Sequence, residues 1–410
     1  MDGSSLSWVT VQALEGIRVI DMATVIAAPG TARYLADYGA DVVKVEPPGG
    51  DGTRRLGWVD PRDGDSYMWK LVARGKRTIV LDLKTEAGLV HMRALLADAD
   101  VLIENLRPGT LERLGLDPAD LLTVNPGLVV LRVTGFGQSG PYAQRPGFAT
   151  MAEAMSGFAA INGEPDGAPL PPPIALTDEV TALVGAFSVM VALRHRDRTG
   201  EGQVIDVNLL DTMLSLMGPL HSASAHLGYE QPRLGSGIPY SVPRGTYRCA
   251  DGAWIAISAS AESVAARLMT LLGVAHDERF ATFDARVAHR SELDAIVSHW
   301  IGARTEAEVI AAFEAAQCAI APVYTVGDVA KDAHVVERGS LIDVDGVTMP
   351  GLIARFSRTP GQVRFAGRAL GADTDAVLAE LDAKPSQEAK DSESAPAIPQ
   401  GRDTPRGASA

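Results

Sequence analysis

The stretch PPPIALTDEVTALVGAFSVMVAL (171–193) sets three prolines ahead of an Asp-Glu pair and then opens a long apolar helix, expected from Asp178 to about His195. A carboxylate at the head of a helix has two occupations. As a cap it accepts backbone N–H bonds and stabilises the helix by about 0.5–2 kcal/mol, which requires no further role. The same amides and the helix dipole also favour the ionised form, as a nucleophilic carboxylate near neutral pH requires. From position alone the cap is the simpler reading.

Other stretches bear on chemistry mainly by exclusion. GFGQSG (135–140) spells the dinucleotide-binding pattern after an expected strand. That pattern works only where a helix starts inside the turn, so that its N-terminus faces the pyrophosphate. Here Pro141 and the turn sequence YAQRPG follow instead, which argues against a nicotinamide or flavin site. No phosphate-binding G-x-x-x-x-G-K-[ST] and no G-x-S-x-G nucleophile elbow occurs, and the eight histidines are scattered without metal-like pairing. His195, in RHRDRTGEG, reads as a solvated residue at a helix end, where its basic neighbours suit the dipole. Cys249 and Cys318 are far apart and lack C-x-x-C spacing, so neither a disulfide framework nor a zinc site is expected.

The elements that must position these residues alternate. IRVIDM (17–22), ADVVKVE (40–46), TIVLDL (78–83), DVLIE (100–104) and LVVLRVT (128–134) read as strands, with helices expected over Pro29–Tyr38 and around 86–97. Strand, helix and strand at these spacings imply parallel pairing with right-handed crossovers: an α/β fold with a Rossmann-like open parallel sheet. Ligands in such sheets sit beyond the carboxyl ends of the strands. Those ends carry ATVIAAPG (23–30), EPPGGDGTRR (46–55), ENLRPG (104–109) and TGFGQSGP (134–141), loops rich in glycine, proline and arginine. Helices are expected near 150–158 and 204–218. Residues 1–228 thus form the first part of a large domain, and YEQPRLGSGIPYSVPRG (229–245) reads as a linker. A smaller α+β domain follows over 246–322, opening with a hairpin that turns at Asp-Gly; 323–382 is expected to return to the large domain, and the polar, proline-rich 383–410 to be a disordered tail.

The 410 residues, nearly half hydrophobic, can bury more than one core, and the net charge of -14 argues against nucleic-acid binding. An anionic ligand must be held by local arginines, lysines and backbone amides. With no basic n-region and apolar run at the start, and no membrane-length apolar stretch expected, the chain reads as a cytoplasmic protein without membrane attachment.

Taken in order, GIRVIDMATVIAAPGTARYLADYGADVVKVEPPGGD, KRTIVLDLKTEAG, DVLIENLRPGTLERLGLD, LVVLRVTGFGQSGPYAQRPGF, AEAMSG and HRDRTGEGQVIDVNLLDTML resemble the family III CoA-transferases over about residues 15 to 380. This group contains formyl-CoA transferase, carnitine CoA-transferases and α-methylacyl-CoA racemase. The resemblance implies an interlocked homodimer and coenzyme A or acyl-CoA as substrate, with a free carboxylate as acceptor and no metal. It implies Asp178 as the nucleophile; Glu179, about 100° further round the helix, is the weaker candidate. It further implies CoA contacts at Ile26 and Ala27, Leu81 and Lys84, Asn105, Leu106 and Arg107, Arg113, and the turn Gly147, Phe148 and Ala149. Lys84 and Arg113 are then the phosphate or adenine contacts.

Three positions depart from the family pattern. Pro47 stands where many members have arginine, Ala149 replaces a frequent aspartate, and Phe148 occupies the racemase's catalytic histidine position. Racemisation beside a thioester needs proton-transfer groups on both faces of the α-carbon, and phenylalanine supplies none. The resemblance therefore implies transfer ahead of the two alternatives, an acyl-CoA racemase or isomerase and a non-catalytic CoA-binding protein. In the implied reaction CoA passes to the acceptor through aspartyl anhydride and aspartyl-CoA thioester intermediates. GSGIPY (235–240) is a candidate shield for those intermediates, or a plain linker.

Overall fold

A computed structural model describes residues 12–383; the 383–410 tail falls, but for Ala383, outside the described residues. Six short strands build the central sheet: β1 (Arg18–Asp21), β2 (Asp41–Glu46), β3 (Arg77–Val80), β4 (Val101–Glu104), β5 (Val129–Thr134) and β6 (Val204–Asn208). Their order is β3-β2-β1-β4-β5-β6, and every pairing is parallel. Because successive strand residues point to opposite faces, Val19, Val42, Val101 and Val129 enter one core layer while Ile20, Val43, Leu102 and Val130 enter the other. The first layer is closed by the helices Ala27–Asp37 and Leu176–Thr199, the second by the helix Glu86–Ala97.

The two helices of the first layer cross at small residues. A side chain at Gly30 would bring its Cβ within 2.8 Å of the Ala182 Cβ, and the Thr31 hydroxyl donates to the Ala182 carbonyl at 3.0 Å. This close approach brings the head of the 176–199 helix beside the loop that follows β1. The 176–199 helix is long and apolar enough to cross a membrane by length and composition, although no uninterrupted run of about 18 apolar residues occurs in it. Yet one of its sides packs on β5, β6 and the 27–37 helix.

Two helical expectations are corrected. The region near 204–218 begins as β6, an edge strand paired with β5, and only then becomes the helix Leu209–Leu216. Val204 is exposed at this edge while Val207 is buried; the strand runs straight into the helix, Asn208 being both its last residue and the helix N-cap, so the helical period of the second half masks the first. The helix near 150–158 breaks at Gly157, whose φ of +92° ends Ala149–Met155 and starts Phe158–Ile161.

Beyond residue 240, β7 (Arg244–Arg248) and β8 (Trp254–Ser258) form an antiparallel hairpin, and β9 (Ile320–Pro322) pairs with β8. Helices pack on this second sheet around Phe280, Leu293, Val297 and Phe313. The hairpin of β10 (Leu341–Val344) and β11 (Val347–Pro350) follows. The chain then runs along β3, where the Thr78 amide donates to Asp373 Oδ2 at 2.8 Å and the Val80 amide to Thr374 Oγ1 at 3.1 Å.

Candidate active site

In a 3-2-1-4-5-6 sheet the crossovers reverse direction between β1 and β4, which leaves a crevice at their carboxyl ends. A cavity of about 490 Å³ occupies that crevice. The loop after β1 supplies Thr24, Val25, Ile26 and Ala27, and the loop after β4 supplies Asn105, Leu106 and Arg107. The turn before the 149–155 helix adds Arg145, Gly147, Phe148 and Ala149, and Asp178 completes the wall.

Local sequence explains how each wall is held. Glu104, at the end of β4, accepts the Leu106 amide at 2.6 Å and Arg132 Nε at 2.6 Å. Burial pushes the Glu104 carboxyl up, while Arg132 and the Leu106 amide pull it back. The Asn105 side chain accepts from the Thr24 amide at 2.8 Å and donates to the Thr24 carbonyl at 2.7 Å, tying the two loops together. Gly135 and Gly147 lie back to back: a Cβ on Gly135 would stand 2.6 Å from the Gly147 Cα. Only glycine at both places lets the PGFA turn fold against the end of β5. GFGQSG itself opens no helix, the next one starting at Ala149.

Asp178 does not cap its helix. The helix starts at Leu176, its N-cap is Ala175 with no side-chain bond, and Asp178 is inside the first turn. Its carboxylate makes no hydrogen bond among the described residues and faces the cavity. Burial raises its pKa from the ordinary 3.8 to about 6, and the charges of Glu153 and Glu179 add to the rise. Glu153, only 3 % exposed, accepts the Thr177 hydroxyl at 2.7 Å. Glu179 turns away to Arg33, whose Nη2 donates at 2.5 Å, and to the Tyr34 hydroxyl. One carboxylate of the pair is thus neutralised by a buried cation, and the other is left unpaired in a partly dry site.

Three of the residues implied by the resemblance stand apart from this cavity. Leu81 is buried in the second core layer, Lys84 is exposed beyond β3, and the exposed Arg113 donates to Thr110 Oγ1 at 2.8 Å. The 235–240 loop is also off the cavity wall: the Gly235 amide donates to the Gly163 carbonyl at 3.0 Å, and Arg290 donates to the Ile238 carbonyl at 2.7 Å. Conversely, Arg145, which stacks 3.9 Å from the Tyr142 ring centroid, and Glu153 were not singled out from sequence. Arg145 sits in a turn already marked as loop and had a legible signal, a cation beside Pro-Gly; Glu153 had none.

The sequence matches CoA-transferase family III over residues 14–374. The chain belongs to this family. It is 40 % identical to the succinyl-CoA–L-malate CoA-transferase beta subunit of Chloroflexus aurantiacus, over 93 % of this chain and 96 % of that one. It is 37 % identical to the succinate–glutarate CoA-transferase of Agrobacterium fabrum, over 90 % and 96 %. A CAIB/BAIF family protein from Brucella suis has a similar structure, with a TM-score of 0.81 at 35 % identity over 90 % of this chain and all of that one. This family III CoA-transferase therefore has the expected α/β sheet, with the cavity at the strand ends.

Proposed function

We propose that the enzyme moves CoA from an acyl-CoA donor to a carboxylic acid through covalent intermediates on Asp178. The observation that carries this reading is the unpaired, partly desolvated Asp178 carboxylate in the wall of a cavity that also gathers Arg107, Arg145 and the loop after β1. A carboxylate stripped of hydrogen-bond donors is a stronger nucleophile than a solvated one.

Its oxygen attacks the thioester carbonyl; the C–S bond breaks, leaving an aspartyl-acyl anhydride and CoA thiolate. The thiolate attacks the aspartyl carbonyl, releasing the donor acid and forming an aspartyl-CoA thioester. The acceptor carboxylate then displaces CoA thiolate to give a second anhydride. The thiolate attacks its acyl carbonyl, which releases the new acyl-CoA and restores Asp178. No nucleotide is consumed, because the thioester energy is kept in the covalent bonds. Ile26, Ala27, Asn105 to Arg107 and the 147–149 turn line the CoA path, with the exposed Lys84 and Arg113 along the outer reach of so long a ligand.

The names of the relatives, which pair succinyl-CoA with L-malate and succinate with glutarate, support a dicarboxylate pair, and two cavity arginines suit ligands with spare negative charge. Phe148, 63 % exposed in the cavity wall, offers no second proton-transfer group, which sets racemisation aside. The working form is a homodimer: Leu183, Phe187, Met190 and Val191 form an exposed apolar stripe at helical spacing on the outer side of the 176–199 helix. Incubation with succinyl-CoA and hydroxylamine tests the nucleophile. Mass spectrometry is expected to find a hydroxamate on Asp178, and its absence during active turnover would remove the covalent mechanism.

A further inference from the structure

The loop after β1 holds a conformation that its own sequence opposes. Val25 has a φ of +71°, and a β-branched residue in the left-handed region is a genuine outlier. Such a backbone persists only where its surroundings over-determine it. Here three successive carbonyls are gripped from elsewhere. The Ala23 carbonyl accepts from the buried Lys44 ammonium. The Thr24 carbonyl accepts from Asn105, which also takes the Thr24 amide. The Val25 carbonyl lies 3.1 Å from the Thr53 hydroxyl, whose proton is shared with Asp51 Oδ1 at 2.6 Å. The amides of Val25 and Ile26 are left with no acceptor among the described residues, and both residues line the cavity.

Asn105 is the part of this scaffold that reaches across the switch point of the sheet. Its amide oxygen accepts the Thr24 N–H and one of its two N–H groups donates to the Thr24 carbonyl, so both ends engage the backbone of a single residue. That leaves a side chain whose polar ends point to the neighbouring loop. We propose that Asn105 is a positioning residue, holding Val25 in its left-handed backbone and thereby fixing the Val25–Ala27 wall of the cavity that Asp178 shares. This rests on the transfer reaction proposed above for its consequence in turnover, though not for its consequence in CoA binding.

The test is a double-mutant cycle between Asn105→Ala and Val25→Gly, read by succinyl-CoA turnover and by CoA affinity from calorimetry. Glycine adopts positive φ without steric cost, so a strained loop that has lost its clamp should regain its shape when Val25 becomes glycine. Asn105→Ala alone is expected to lower kcat about 100-fold, the scale of a displacement of about 1 Å at a reacting centre. Adding Val25→Gly should recover about tenfold or more of that loss, a strong departure from additivity. Asn105→Asp, which keeps the acceptor for the Thr24 amide but loses the donor, should show the same rescue and serves if the alanine variant does not fold. Losses that simply multiply in both turnover and affinity would overturn the inference and make Asn105 a direct ligand contact. Rescue of CoA affinity without hydroxylamine trapping at Asp178 would retain the positioning role and remove the covalent mechanism.

Discussion

Replacing Asp178 with asparagine keeps its shape and removes its charge, which separates what the site costs the fold from what it does. The folded chain raises this carboxyl from 3.8 to about 6, so it binds a proton more tightly folded than unfolded. Below pH 3.8 both states carry the proton and Asp178 costs nothing. As pH rises from there to about 6 only the folded state keeps it, so stability falls with pH; beyond that the full cost is present. The elevation corresponds to about 3 kcal/mol, and water at the cavity mouth reduces this to about 1–2 kcal/mol. Asp178→Asn should therefore unfold a few °C higher at pH 8, with the gain shrinking at pH 4.5 to about a third. Turnover at pH 8 should fall by about 10³-fold or more. Differential scanning calorimetry at the two pH values, alongside a succinyl-CoA exchange assay, reads both effects. A variant equally stable or less stable than the parent at pH 8 would refute the desolvated-carboxylate argument. One that still exchanges thioesters at the parental rate would refute the nucleophile.

A nucleophilic Asp178, as proposed, attacks only when ionised, so kcat/KM should rise with pH through a midpoint near 6. Glu153→Gln keeps an acceptor for the Thr177 hydroxyl but removes a like charge, so it should move that midpoint to lower pH; an unmoved midpoint would show that the two carboxylates do not communicate. Arg107→Ala and Arg145→Ala should each raise KM for acyl-CoA about tenfold with a smaller change in kcat, the scale of a lost charge-assisted hydrogen bond; steady-state kinetics would show it. Phe187, 70 % exposed on the apolar stripe, should be covered by a second chain. Sedimentation velocity should find a dimer that Phe187→Arg dissociates, and a monomeric parent protein would remove that assignment.

The strands β1 to β5, the loops at their ends and the long helix behind PPPIALTDEV are legible in the sequence, because β-branched runs and a helical period are local properties. The missed strand β6 shows where that legibility ends. VIDVN is a strand because β5 offers it an edge, with Val130 paired to Val204 and Thr134 to Asn208; the one local mark of the boundary is Asn208, which caps the helix that follows by accepting the Asp211 amide. Family motifs likewise mark Asp178, Asn105 and the 147–149 turn by residue type and order alone. What they do not carry is the state of each group.

Only the tertiary structure decides that Asp178 is an unpaired carboxylate and no cap, that Glu179 beside it is ion-paired to Arg33, and that both ends of the Asn105 amide are spent on Thr24. Desolvation and Coulomb energy depend on distance in space. The groups that set them here, Arg33, Glu153 and Thr24, reach the site from other segments of the chain, carried there by the packing of helices on a parallel sheet.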